Sequence, residues 1–92
     1  MKFIYPAIFS PRPEGGYSCR FPDLDGCVAD GDTLEEAIEE ANHAAAGWIG
    51  VELEEEVPEM PPVSELSDLQ LCPGEVGRYI AVNIRFYDGW DE

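Results

Sequence analysis

Apolar side chains recur at spacings of three, four and seven residues between residues 34 and 53, which places them along one side of an α-helix. These positions are Leu34, Ile38, Ala41, Ala45, Trp48, Ile49 and Leu53. Thr33 and Glu36 have the spacing of a capping box, in which both side chains accept hydrogen bonds from free backbone N–H groups. The pattern predicts a helix that begins after Thr33 and needs a sheet to cover its apolar side.

Three segments before this helix are rich in aromatic and branched residues, the composition of β-strands. They span residues 2–9, 17–21 and 27–30. The second and third are joined by proline, aspartate and glycine at residues 22–26, which suits a hairpin loop. The three strands are therefore predicted to form an antiparallel meander. Because Pro6 cannot donate a ladder hydrogen bond, we expect a bulge or an unpaired side at that position.

The segment after the helix, residues 54–63, is rich in proline and glutamate and predicts an extended connection. Ser64 is in a position to cap a short helix over residues 64–71, with its leucines facing inward. Alternating apolar residues then predict a last strand over residues 78–86. This strand is expected to return to the sheet beside the first strand.

The order of elements is β-β-β-α-α-β, which predicts an α+β fold with the long helix packed across one face of a sheet. Ninety-two residues are enough for one modest core, so residues 1–92 are expected to form a single domain.

The three cysteines fit neither a disulfide framework nor a metal site, because their number is odd and no CxxC spacing occurs. If Phe21 faces Cys27 across the hairpin, Cys19 faces Ala29, and the two cysteines are a diagonal pair about 7–8 Å apart. A disulfide prefers Cα atoms closer than about 7 Å. Together with an N-terminal segment too short for a signal peptide, this pattern predicts a reduced protein of the cytoplasm without a membrane anchor.

The chain carries 20 acidic and 5 basic residues, a formal charge of −15 at pH 7. This charge repels phosphate backbones and removes the counterion release on which most nucleic-acid affinity depends. It attracts a basic protein and accelerates association with it. The composition therefore argues against direct nucleic-acid binding and favours a basic protein partner, with solubility as the alternative use of the charge.

One group of side chains has the composition of an active site: Asp23, Asp25, Asp30 and Asp32. Clustered carboxylates can hold two divalent ions for phosphodiester hydrolysis, so a metal-dependent nuclease is an alternative function. Aspartate is also an ordinary turn residue, and five cations are too few for a groove that holds a polyanion. His43 lies on the polar side of the helix, which is typical of a solvated surface histidine. We assign no catalytic, cofactor-binding or metal-binding residue.

A dense series of motifs runs from residue 15 to residue 48: Gly15-Gly16-Tyr17, Phe21-Pro22-Asp23-Leu24, Gly26-Cys27, Ala29, GDTLEEA at 31–37, Ala41 and Trp48. In these motifs the chain resembles the HicB family of antitoxins. The resemblance implies a partial ribonuclease H-like fold that lacks a working nuclease site. It also implies a partner, since HicB-like proteins dock on HicA toxins, small basic ribonucleases that cut messenger RNA, and obstruct their catalytic histidine.

Many members of that family continue after the last strand into a DNA-binding segment. Here residues 87–92 contain no lysine or arginine, so we expect a single-domain form that does not bind DNA by itself. A second alternative is an orphan HicB-type module that binds proteins other than a toxin. Because the last strand could leave an unpaired edge, we also expect a homodimer or tetramer.

The partner-binding surface is predicted from charge. The candidate residues lie in the hairpin loop, the turn before the helix and the first helical turns: Asp23, Asp25, Asp30, Asp32, Glu35, Glu36, Glu39 and Glu40. A solvated acidic surface without a partner is the alternative interpretation of the same residues.

Overall fold

The computed structural model of the chain describes residues 2–55 and 59–84. Within these ranges the chain forms four strands, one long helix and a single 3-10 turn. In chain order these are β1 (Lys2–Pro11), β2 (Tyr17–Arg20), β3 (Val28–Gly31), α1 (Leu34–Leu53), the turn Leu66–Asp68, and β4 (Val76–Asn83). The predicted α+β class and the bounds of α1 are confirmed.

The four strands form one antiparallel sheet in the order β3-β2-β1-β4, so the last strand returns beside the first as predicted. The β1–β4 register is unbroken from the Lys2–Asn83 pair to the Phe9–Val76 pair. The ladder between β1 and β2 begins at Ile8, which leaves the β2 side of Pro6 unpaired, the second of the two predicted possibilities. The predicted strand residues 85 and 86 lie outside the described residues.

Helix α1 packs across one face of the sheet through small side chains. Ala37, Ala41, Ala45 and Ile49 are fully buried, whereas Leu34, Ile38, Trp48 and Leu53 of the predicted stripe are half-buried. Alanines let the helix axis lie close to the sheet, so the larger core side chains come mainly from the strands and the β2–β3 loop. Burying one such side chain contributes about 1.5–3 kcal/mol.

The junction between β3 and α1 is tight. A Cβ atom on Gly31 would lie 2.7 Å from the Glu36 carbonyl carbon and 2.9 Å from the Ala37 Cα, and closer still to the Ala37 nitrogen. The Thr33 hydroxyl accepts from the Glu36 N–H at 3.1 Å, as a capping box requires. The Glu36 carboxylate accepts from the Asp32 N–H at 3.1 Å, one residue before the position that the predicted box assigns to it.

The predicted short helix over residues 64–71 is wrong. Only Leu66–Asp68 forms a 3-10 turn, and its N-terminal cap residue makes no side-chain hydrogen bond to the turn. Ser64 instead donates its backbone N–H and its hydroxyl to the Asp23 carboxylate, each at 2.7 Å. The Leu66 N–H donates to the Tyr79 hydroxyl at 2.9 Å. The segment therefore binds distant residues with the groups that would cap or begin a helix.

Residues 59–75, here called the strap, pass from the helix side of the sheet to its opposite face. At the start of the strap, the Tyr5 hydroxyl donates to the Pro61 carbonyl at 2.6 Å. Further on, the side chains of Leu66 and Leu71 lie against Gly77, the β4 residue paired with Ile8. Ile8 is buried as a result, while the open face of β2 and β3 carries the exposed Val28. The strap thus covers half of the second face.

None of the helices in the described part of the chain has the length and apolar character that crossing a bilayer demands.

Candidate partner-binding surface

Asp30 and Asp32 lie at one end of the sheet, around Arg12. The Arg12 guanidinium is 3.1 Å from the Asp30 carboxylate and 3.5 Å from that of Asp32, and it also donates to the Gly31 carbonyl. The two aspartate side chains are 67% and 90% exposed. Exposed ion pairs of this kind contribute about 0–1 kcal/mol. Both carboxylates therefore remain available to a partner.

Asp23 and Asp25 lie in the loop at the opposite end of the β2–β3 hairpin. The Asp23 carboxylate accepts two hydrogen bonds from Ser64, so its role in the free protein is to hold the strap. Asp25 is exposed, and its backbone carbonyl accepts from the Trp48 indole N–H at 2.9 Å, which ties this loop to α1. The structure therefore does not bring the four aspartates together.

Among the residues that the structure describes, no group of three or more histidine, cysteine, aspartate or glutamate side chains is arranged to hold a metal ion. The carboxylate cluster on which the nuclease alternative depends is therefore not formed by the described residues. Burial raises the pKa of the Cys19 thiol to about 12, and nearby Cys27 acts in the same direction. The Cys19 thiol stays protonated at neutral pH, which makes it a poor nucleophile.

Two of the four cations in the described part of the chain are paired with carboxylates. Arg12 binds the aspartates described above, and Arg20 lies 3.0 Å from the Glu75 carboxylate. That carboxylate also accepts from the Ser10 hydroxyl and the Cys72 N–H. These three hydrogen bonds, that of Arg20 first, lower the pKa of Glu75 to about 2. The pairing leaves little positive potential for a polyanion.

The predicted helix glutamates are all exposed on the first turns of α1. Together with the two exposed aspartates near Arg12 they are here called the acidic surface: Asp30, Asp32, Glu35, Glu36, Glu39 and Glu40. Glu36 has a second role because it accepts from the Asp32 N–H. Six of the eight predicted partner-binding residues therefore lie at the end of β3, at the β3–α1 junction and on the first turns of α1, while Asp23 and Asp25 lie in the loop at the other end of the hairpin.

An apolar groove between β3 and α1 was not predicted from the sequence. It encloses about 540 Å³ and is lined by Gly26, Cys27, Val28, His43, Ala44, Gly47, Trp48, Val51 and Glu52. Val28 is 66% exposed and Val51 is 64% exposed, while His43 is exposed as predicted. Two features of the sequence could have indicated this groove: Val51, an apolar residue on the polar side of the helix, and Gly47, which has open space where a Cβ would be. Glycine inside a helix costs about 0.5–1 kcal/mol relative to alanine.

The fold and these surfaces define a small acidic α+β domain with two exposed features, a carboxylate surface and an apolar groove. Residues 5–88 match the family model of the HicB-like antitoxins of bacterial toxin–antitoxin systems, and the chain belongs to this family. The resemblance identified from the motifs is thereby confirmed.

Individual relatives match over shorter lengths. A UPF0150 protein of Synechocystis sp. is 50% identical over 45 residues, which are 49% of this chain and 62% of that protein. Antitoxin HicB 1 of Photorhabdus laumondii is 49% identical over 37 residues, 40% of this chain and 24% of the antitoxin. Antitoxin HicB of Escherichia coli K12 is 42% identical over 40 residues, 44% and 29% of the two chains. The matched region thus spans less than two thirds of each relative.

Two solved structures share the fold. A chain of a toxin–antitoxin complex from Streptococcus pneumoniae superposes with a TM-score of 0.75 at 21% identity, covering 90% of this chain and 70% of that chain. At this identity the likeness concerns the fold alone. A chain of the HicA3 and HicB3 toxin–antitoxin complex superposes with a TM-score of 0.69 at 25% identity, covering 89% of this chain and 100% of that one.

Proposed function

We propose that this chain is a non-enzymatic antitoxin that binds and neutralises a small basic HicA-type toxin. The observation that carries this proposal is the match to the HicB-like antitoxin family over residues 5–88. The similarity to a chain of the HicA3 and HicB3 complex supports it, because that chain comes from an assembly with a toxin.

The charge of the molecule supports the choice of a basic partner. The net charge is −15, and the carboxylates of the acidic surface are exposed. Such a surface steers a cationic protein toward it and raises the association rate. We assign this role to the acidic surface together with Asp25. Asp23 holds the strap in the free protein, so we assign it to the support of the loop.

Neutralisation then follows from occlusion and charge. A HicA-type toxin must bind the phosphates of messenger RNA with its basic surface. An acidic domain docked there blocks access to the catalytic histidine and replaces attraction of RNA with repulsion. This mechanism requires no chemistry from the antitoxin, and it places the protein in the cytoplasm, where messenger RNA is translated.

Two further expectations belong to this proposal. The chain alone does not retain its own promoter DNA, because its acidic surface repels phosphates; a mobility-shift assay at physiological salt tests this. The chain forms a homodimer or tetramer, which sedimentation at tens of micromolar tests. Specific DNA retention by the chain alone contradicts the first expectation, and a monomer contradicts the second.

The direct test uses the toxin encoded by a short basic reading frame beside this gene. We expect its induction to arrest growth and co-induction of this chain to restore growth. In vitro, an equimolar amount of the chain should stop messenger RNA cleavage. Cleavage that continues at a tenfold excess of folded chain contradicts the proposal, and the absence of any such reading frame favours the orphan-module alternative. RNA cleavage by this chain itself favours the nuclease alternative.

A further inference from the structure

The outer edge of β3 offers backbone groups to an additional strand. The Phe21 N–H donates to the Cys27 carbonyl, so this pair bonds across the β2–β3 hairpin. Bonded and non-bonded pairs alternate in an antiparallel ladder, so Ala29 also directs its N–H and C=O toward β2. Val28 and Asp30 must therefore direct theirs outward. Within the described residues, no hydrogen bond reaches these outward groups.

The apolar groove runs beside this free edge. Val28 belongs to both, since its backbone groups form part of the free edge and Val28 is also one of the residues that line the groove. The opposite wall is α1, where Ala44, Gly47 and Val51 follow one another at spacings of three and four residues and so share one side of the helix. Because Gly47 has no side chain, this wall is low and another backbone can approach it closely.

Carboxylates surround the groove and the edge. Glu40 precedes Ala44 by one turn on the same side of α1, and Glu52 lines the groove toward the end of the helix. On the edge strand itself, Val28 and Asp30 both point to the face of the sheet away from α1, and there the Asp30 carboxylate pairs with Arg12. A strand lying along β3 would therefore meet an apolar groove on one face, and Val28 followed by the Asp30 carboxylate on the other.

We propose that an extended segment of the basic toxin adds to the sheet as a fifth strand beside β3, a proposal that rests on the function proposed above. Every second side chain of that segment is apolar and fills the groove. The intervening side chains lie beside Val28 and Asp30, and the one beside Asp30 is lysine or arginine. Val28 and Asp30 each supply one donor and one acceptor to the added strand.

A second copy of this chain is the other occupant that the edge would fit. Pairing two β3 edges would bring the acidic surfaces of two molecules together, each with a formal charge of −15. Like charges placed directly opposite one another destabilise a strand pair. Charge complementarity therefore selects the basic partner.

Amide hydrogen exchange of the labelled full chain tests the edge, with the toxin inactivated at its catalytic histidine as the probe. In the free chain, we expect fast exchange at Val28 and Asp30 and slower exchange at Ala29. Saturating toxin should slow the exchange at Val28 and Asp30 at least tenfold. Unchanged exchange at both amides in a formed complex overturns the proposal.

A pair of valine substitutions tests the groove. Val51→Lys places a cation in the groove, whereas Val63→Lys makes the same change on the strap at a similarly exposed residue, 53% against 64%. Since neither valine is buried, both variants should fold, which circular dichroism checks. We expect Val51→Lys to weaken toxin binding at least tenfold and Val63→Lys to change it less than twofold.

The outcomes separate the two proposals. If the unmodified chain does not bind the toxin, both the proposed function and the groove assignment fail. If it binds and both variants bind equally well, only the groove assignment fails. A dimer of the unmodified chain that Val51→Lys dissociates also overturns the assignment, because a second copy then occupies the groove.

Discussion

Replacing Gly31 with alanine should destabilise the protein through the tight β3–α1 junction. The new methyl group would overlap the backbone of Glu36 and Ala37, and backbone cannot move aside as a flexible side chain can. The Ala37 N–H also makes the first hydrogen bond of the helix, to the Thr33 carbonyl at 2.9 Å. Relief of the overlap must therefore shift the helix start away from β3.

The expected size follows from known costs of overpacking, about 1–3 kcal/mol, and the rigid neighbours place this site near 3 kcal/mol. Alanine also reduces the conformational entropy of the unfolded chain, which stabilises the folded protein by about 0.4–1 kcal/mol and offsets part of this cost. The net loss is about 2 kcal/mol. A domain of this size is stable by about 5–14 kcal/mol, so the melting temperature should fall by about 8–16 °C.

Urea denaturation followed by circular dichroism measures this loss, and Gly47→Ala is the matched control. A Cβ on Gly47 meets nothing within 4 Å, so the same substitution there should stabilise the helix by about 0.5–1 kcal/mol. The two variants thus shift the midpoint in opposite directions. A Gly31→Ala midpoint equal to or above that of the unmodified chain would refute the close approach of β3 and α1.

Three further predictions concern the strap and the acidic surface. Asp23→Ala removes both hydrogen bonds to Ser64 and should lower the free energy of unfolding by about 1–3 kcal/mol, measured by urea denaturation. Ser64→Ala should lower it less, because the backbone N–H of residue 64 still donates to Asp23. Equal stability of Asp23→Ala and the unmodified chain contradicts this prediction. Because the pKa of Glu75 falls from 4.5 to about 2 on folding, its stabilising contribution is complete above pH 4.5 and is lost as pH falls toward 2. Glu75→Gln should weaken the pH dependence of stability in this window, and an unaltered dependence argues against the Arg20 contact. The double variant Glu39→Lys, Glu40→Lys leaves the capping role of Glu36 intact and should slow association with the toxin and reduce the salt dependence of the association rate. An unchanged association rate would mean that the interface lies elsewhere.

The main elements were predictable because their signals are local. The spacing of apolar residues defines α1, and Thr33 accepts the expected hydrogen bond at its start. The hairpin register considered from the sequence also holds, since Phe21 bonds to Cys27 and Cys19 pairs with Ala29. Alternation of apolar residues likewise identified β4, and the expectation that this strand returns beside β1 is confirmed.

The errors arise where one residue type has two uses. Ser64 precedes a run with helical character, and nothing local indicates that it bonds to Asp23, 41 positions earlier. The carboxylates likewise look alike in sequence, although that of Asp23 is held by the strap and that of Asp32 is exposed. The groove escaped prediction because it depends on Val28 lying on an edge strand, a property of strand order.

The pairing of the first strand with the last has a consequence for synthesis on the ribosome. Lys2 pairs with Asn83, so the edge of β1 that bonds to β4 has no partner until nearly the whole described chain has been translated. Contacts so distant in sequence slow folding, and apolar segments that wait for a partner are prone to aggregate. During this delay, β1 lacks one of its neighbouring strands in every new molecule, and its apolar side chains are less covered. The newly made protein therefore folds later than its length alone suggests, and the N-terminal strand is the segment that most needs protection by chaperones.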